Sequence, residues 1–280
     1  MAPTQTFDGS RRHVLDWVDS PGFLIGIRQQ FAAQGWSIPQ DANWMPFSGG
    51  QPAESKLFDK PNLFLSKGQQ KELREWWLAP SGRGNIPNWD LILTASTATG
   101  TPALVLVEAK AHTAEFDRKP KKQDRKASQD SLANHATITA AIEEANRALH
   151  RVHSSINISI DKCYQFANRI AMAWKLASMG IPNTIVFLGF TGDSEIAKKG
   201  KFFADDAHWQ NEFSAYIGPS FPMELLNCDI PCGAASFRLI SHSLPVITKS
   251  RPLEQRRAGQ RAAKLHPRFP TNPSEVSKNE

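Results

Sequence analysis

The sequence predicts an α/β fold in which a central mixed β-sheet, carrying a β-hairpin, is flanked by helices. Two apolar runs, Trp89–Ala95 and Ala103–Ala109, are separated by Ser-Thr-Ala-Thr-Gly-Thr-Pro and are rich in leucine and β-branched residues, the pattern of a strand pair around a tight turn. A third run, Thr184–Phe190 (TIVFLGF), is almost unbroken in its apolar character, so it should be buried on both faces as an interior strand. Helical periodicities lie before, between and after these runs.

From Arg11 to Trp36, Val14, Trp17, Val18, Phe23, Leu24, Ile27 and Phe31 fall at helical spacings interrupted by Ser20-Pro21-Gly22, which predicts two short helices. Ser37–Gln51, rich in Pro, Asn, Ser and Gly, reads as loop, with short helical or extended pieces following around residues 53–58 and 62–65. Lys67–Leu78 is a helix stopped by APSGRGNIP. After the hairpin, Ile138, Ile142, Ala145, Leu149 and Val152 recur at spacings of three and four within a helix over 131–153. There Glu143 precedes Arg147 by four residues, the spacing of a side-chain pair on one face. Asp161 is the expected N-cap of a further helix that ends at Gly180, with Phe166, Ile170, Ala173 and Ala177 along one side. Beyond the third strand, Asp205–Ile217 reads as helix, Ser236–His242 as an edge strand and Pro245 onward as a tail.

The 280 residues are 40% apolar and 21% charged, an ordinary globular balance that excludes a disordered or fibrous chain. The N-terminal stretch lacks the basic segment and apolar run of a secretory signal, and no run approaches a membrane span, so a cytoplasmic protein without a membrane partner is expected. Cys163, Cys228 and Cys232 are too few and too unevenly placed for a disulfide framework. Cys228 and Cys232, with His208 or His242, match no closed zinc pattern and read as structural cysteines.

The net charge of +6 is unevenly distributed. Residues 246–280 hold eight basic residues against three acids, and 118–126 (RKPKKQDRK) six against one, so the remainder is mildly acidic. Clustered cations beside a folded domain suit a polyanion, because neutralising phosphates releases counterions. Solvated loops and tails have the same composition, and charge alone does not choose between the two. The chain divides on this reading into an N-terminal helical extension over 1–50, an α/β domain over 51–245 with a helical insertion near 128–153, and a basic tail over 246–280.

The hairpin concentrates the chemistry. If its turn centres on Thr99, residues whose numbers sum to 198 face each other, which sets Asp90 opposite Glu108. Cβ atoms of opposed residues in an antiparallel pair lie about 4.5–5.5 Å apart, close enough for two carboxylates to share one divalent cation. Lys110, two residues beyond Glu108, projects from the same face. Facing carboxylates destabilise a sheet unless positive charge lies between them, so the arrangement calls for a cation or for Lys110. Hard oxygen donors point to Mg²⁺ or Mn²⁺, completed by water and substrate phosphate. A register slip of one residue would separate the three side chains.

The residues Pro87-Asn88-Trp89-Asp90, a short hairpin, and then Glu108-Ala109-Lys110 resemble the PD-(D/E)XK nuclease superfamily, the restriction-endonuclease-like fold, over roughly 67–190. The resemblance implies a restriction-endonuclease-like core with a central catalytic hairpin. It also implies divalent-metal hydrolysis of phosphodiester bonds, usually in DNA, in repair, restriction or defence. Asp90, Glu108 and the Ala109 carbonyl would hold Mg²⁺ or Mn²⁺, with Lys110 assisting the water or the transition state. The family's auxiliary acid would be Glu54 or, less naturally, Glu72, whose Lys/Arg-flanked helix suggests a solvated charge. Gln165, Asn168 and Arg169 share one side of the helix after the hairpin, where some members place site-facing polar groups, although the polar face of an amphipathic helix has the same pattern.

Lys119, Lys121, Lys122, Arg125, Arg169, Arg256 and Arg257 are the expected contacts to nucleic-acid backbone, and one such centre per chain would need a homodimer or two encounters to cut both strands. The sequence departs from the family upstream of Asp90, where only SGRGN or NLFL is offered for the first core strand. A catalytically silent nucleic-acid-binding or assembly protein that keeps the fold is the alternative.

Overall fold

The computed structural model describes residues 9–46, 55–58, 64–80, 84, 86–121, 128–198 and 201–247. It is an α/β structure built on a six-stranded mixed sheet in the order β1-β2-β3-β4-β6-β5. The strands are β1 (Trp44–Met45), β2 (Leu91–Ser96), β3 (Pro102–Lys110), β4 (Asn183–Thr191), β5 (Asp229–Pro231) and β6 (Ser236–Pro245). The helices are α1 (Ser10–Val18), α2 (Phe23–Ala32), α3 (Lys67–Trp77), α4 (Gln129–Val152), α5 (Tyr164–Ser178) and α6 (Asp206–Ile217). No helix among the described residues is long and apolar enough to cross a membrane.

Strand alternation divides the core into two layers. Ile92, Leu104, Leu106, Ile185 and Phe187 face one side of the sheet and pack with α3, α4, α5 and α6, while Leu91, Leu93, Val105, Val107, Val186, Leu188 and Phe190 face the other and pack with α1 and α2. The helices expected as an N-terminal extension therefore form one of the two covering layers. Likewise α4, expected as an insertion, buries Ile138, Ala141, Ile142, Ala145 and Leu149 in the larger cluster and leaves Val152 exposed.

The hairpin has the symmetry that its turn implies. Thr97 N–H donates to Thr101 O at 2.9 Å, Gly100 takes the positive φ of 79° that the reversal requires, and the ladder runs from Ser96–Pro102 to Leu91–Val107, a constant sum of 198. β3 then pairs parallel with β4, and β4 parallel with β6, so the connections through α4–α5 and through α6 return across one face of the sheet.

Three local expectations are corrected. Ser37–Gln51 is not loop throughout: Trp44–Met45 pairs with Leu93 and Ile92 as β1, and Ser37 bridges to Ser96. Two-residue pairings in a Pro- and Asn-rich stretch carry no periodic signal. β6 is not an outer strand over its first residues, because β5 pairs with Ser236–Arg238. Asp161 does not cap α5; the backbone turns into that helix at Cys163, at φ 47°. Ser66, by contrast, caps α3 in a reciprocal box with Gln69, and Asp205 caps α6 through His208 N–H.

α5 is buried nearly all round, from Phe166 through Ala173 and again at Leu176 and Ala177. A helix of that kind sits inside a core rather than on it. One close approach deserves a number: a Cβ on Gly189 of β4 would lie 2.3 Å from the Trp209 ring, which itself stacks on Phe213 and Phe116. Gly189→Ala should therefore cost roughly 2–4 kcal/mol through forced repacking, seen as a lowered midpoint in urea unfolding; an unchanged midpoint would mean that Trp209 is not held against the strand.

Candidate active site

Asp90 is set in place from both sides. Ahead of it, Trp89 exchanges two backbone hydrogen bonds of 2.8 Å with Ser55, and behind it the chain enters β2. Asp90 N–H donates to Val107 O at 3.0 Å, and its Oδ2 accepts the Ala109 N–H at 2.7 Å. The side chain thus stands in for a strand partner where the β2–β3 ladder stops. That fixes it beside the Glu108-Ala109-Lys110 end of β3.

Glu108 and Lys110 point from β3 toward α5, and both are buried. Glu108 Oε1 accepts from Lys110 Nζ at 2.5 Å. Its Oε2 accepts from Arg169 Nε of α5 at 2.8 Å and pairs ionically with Nη2 of the same guanidinium at 2.7 Å. Lys110 Nζ also donates to Gln165 Oε1 at 2.9 Å. One turn of α5, carrying Gln165, Asn168 and Arg169, therefore faces the end of the hairpin. Asn168 and Arg169 are buried and Gln165 is half-buried, so this is not a solvent-facing polar stripe.

Pro87, Asn88, Trp89, Asp90, Glu108, Asp117, Tyr164, Gln165, Asn168 and Arg169 line a cavity of about 350 Å³. Burial pushes the Asp90 carboxyl up, the neighbouring Glu108 charge pushes it further, and together they raise it from 3.8 to about 7 against the pull of Lys110, Ala109 and Arg169. Burial also acts on Glu108, but Arg169 and Lys110 outweigh it and hold that carboxyl below its ordinary value. The two neighbouring acids thus differ in their partners: Glu108 pairs with Lys110 and Arg169, and Asp90 has no ion pair among the described residues.

Could this set hold a divalent ion? Among the described residues no group of three or more His, Cys, Asp or Glu is arranged to hold a metal. Two carboxylates are nevertheless enough for an ion that keeps several waters, as Mg²⁺ does. Asp90 Oδ1 has no hydrogen-bond partner among the described residues, and Oε1 of Glu108 meets Lys110 alone. The donor set fits, with the carboxylate that lacks a positive partner as the first point of attachment.

Other expected site residues fall differently. Arg169, expected on nucleic-acid backbone, is buried and committed to Glu108, Asn168 and the face of Trp89, 4.7 Å from its ring centroid. Its guanidinium is not available to a phosphate. Lys119 is exposed, and Lys121 lies over the Tyr164 ring at 4.5 Å. Hydrogen bonds from Lys121 N–H to Ile160 O and from Tyr164 N–H to Lys119 O stitch the start of the basic run to the start of α5, at the cavity rim. Glu72 pairs with Lys175 at 2.9 Å and does not line the cavity. Glu54, Lys122, Arg125, Arg256 and Arg257 lie outside the described residues.

Asp117 and Tyr164 line the cavity without having been singled out. Asp117 follows a polar connection with no periodicity, and Tyr164 was only part of a helix-start string. For Arg169 the available signal was its i,i+4 spacing from Gln165, which puts the two on one helical face.

The two acids should respond oppositely to removal of their charge. Asp90 has a raised folded pKa, so its contribution to stability is full below its unfolded value near 3.8 and is lost as pH rises through about 7. In metal-free buffer Asp90→Asn should be more stable than wild type at pH 8 by roughly 1–3 kcal/mol, with the difference vanishing near pH 4. Glu108 has a lowered pKa, so its contribution is present above its unfolded value and lost as pH falls through the folded one. Glu108→Gln should cost about 3–5 kcal/mol at neutral pH by stranding two buried cations. Denaturant unfolding at the two pH values checks both, and equal signs would contradict the assignment. No protein-family model, no curated protein and no solved structure matches the chain, so what the site can do is argued from its own geometry.

Proposed function

We propose that the chain is a divalent-metal-dependent nuclease of the PD-(D/E)XK kind, hydrolysing phosphodiester bonds in nucleic acid, with DNA as the first substrate to test. The reading is supported above all by the convergence of Asp90, Glu108 and Lys110 at one end of the hairpin, beside a polar cavity. The helix α3, the hairpin, the helices α4 and α5 and the parallel strand β4 follow in the order such a core requires, and β1 supplies a short partner strand for β2. The basic residues at the cavity rim suit a polyanionic substrate.

In this mechanism Asp90 and Glu108 would hold Mg²⁺ or Mn²⁺, with the Ala109 carbonyl as a further donor. When bound, the ion supplies Lewis-acid stabilisation of the phosphoryl oxygen and a water that deprotonates near neutral pH. Lys110 has three N–H donors; Glu108 and Gln165 take two, and the third serves the attacking water or the charge developing on phosphate. Gln165 keeps the ammonium from folding wholly onto Glu108. Asp90, whose carboxyl is raised by burial and by Glu108, would be the ligand whose charge a bound cation compensates.

One observation favours a second reading, a silent nucleic-acid-binding protein: Glu108 already carries two cations, so its charge needs no metal. Incubation of the full-length protein with circular, linear and single-stranded DNA and with RNA, with and without Mn²⁺, separates the two. The nuclease reading expects Mn²⁺-dependent cleavage that falls by about 10²-fold or more in Asp90→Ala and Lys110→Ala, with circular dichroism unchanged. Salt-sensitive binding that Lys110→Ala leaves intact, without cleavage of any substrate, would select the silent reading.

A further inference from the structure

The way Glu108 is held says more about the ion than the presence of two acids does. A carboxylate oxygen offers about two lone-pair directions. Oε2 accepts one N–H, from Arg169 Nε at 2.8 Å, and has Nη2 of the same guanidinium against it as an ion pair at 2.7 Å, so a guanidinium edge covers that oxygen. Oε1 takes one N–H, from Lys110, and keeps one direction open. Asp90 is less restricted: its Oδ2 accepts one N–H, from Ala109, and its Oδ1 accepts none among the described residues.

Arg169 is itself fixed. Its Nη1 donates to Asn168 Oδ1 at 2.7 Å, its guanidinium lies over Trp89, and the residue is buried within α5. Moving it off Oε2 would leave a guanidinium without its counter-ion in a core, which is costly. Chelation of a cation by both oxygens of Glu108 is therefore blocked as long as Arg169 stays.

From this we infer that Arg169 is a positioning residue that makes Glu108 a one-oxygen ligand and so selects Mg²⁺ and Mn²⁺ against Ca²⁺; the inference rests on Asp90 and Glu108 being the ligands proposed above. Ca²⁺ gathers six to eight oxygens and commonly does so with carboxylates that give both of theirs. Mg²⁺ demands a tight octahedron and accepts single oxygens and waters, which is what Asp90 Oδ1 and Glu108 Oε1 offer. Arg169→Lys would keep the charge without the two-nitrogen edge that covers Oε2.

Isothermal titration calorimetry of Mg²⁺, Mn²⁺ and Ca²⁺ into the full-length wild type, Arg169→Lys, Arg169→Gln and Asp90→Asn tests this without reference to activity. Wild type should prefer Mn²⁺ to Ca²⁺ by about tenfold or more, and Arg169→Gln should shift that ratio toward Ca²⁺ by about tenfold, with Arg169→Lys between them. The ratio within one protein cancels any common loss of folded material. Should Arg169→Gln fail to fold, Arg169→Lys, which keeps the charge opposite Glu108, carries the test alone. Mn²⁺ binding that Asp90→Asn abolishes, with a ratio unmoved by substitution at 169, would overturn the role of Arg169 and leave the proposed function standing. Absence of Mn²⁺ binding in wild type, or binding indifferent to Asp90→Asn, would overturn both.

Discussion

A carboxylate inside a protein core must have its charge met, and Glu108 meets that condition through Lys110 on its own strand and Arg169 on α5. The site depends on this contact. It joins the end of the hairpin to α5, which is buried nearly all round, and it decides which turn of that helix faces the strand. Gln165 and Asn168 follow because they lie on the same turn. Asp90, tied to the Ala109 N–H, is brought beside an ionised Glu108 and is left as the acid without a cation.

That asymmetry carries a functional consequence. A single carboxylate that resists ionisation near neutral pH is a poor structural element and a good receptor for a positive charge. On the proposed reading, an ionised Asp90 carries an electrostatic cost that a bound cation would remove. The same logic explains why Glu108, although buried, is not the weak point: the interactions that hold it ionised are internal and permanent.

Legibility in the sequence followed physical symmetry. The tight turn around Thr99 set the hairpin register, borne out from Ser96–Pro102 to Leu91–Val107, and the unbroken apolar run marked β4 as interior; the ladder ends one pair before Asp90 and Glu108, where the Asp90 side chain bonds the Ala109 N–H instead. β1 and β5 were invisible because two or three paired residues show no alternation, and what places them is the neighbouring strand. The role of Arg169 was hidden for a different reason. An apolar helix that is enclosed on every side has no hydrophobic face to say which way its few polar residues point, so a core guanidinium and a phosphate contact read alike. Glu54 and much of the basic run and tail lie outside the described residues.

The central claim is that Asp90 and Glu108 together receive a divalent cation in the folded protein. A ligand that binds only the folded state stabilises it by RT ln(1 + [L]/Kd). The direct measurement is the thermal unfolding midpoint of wild type and Asp90→Ala across increasing Mn²⁺ at pH 7.5. The account predicts a midpoint that climbs with the logarithm of Mn²⁺ concentration in wild type and stays flat in Asp90→Ala. A flat wild-type curve, or equal climbs in both proteins, would contradict it.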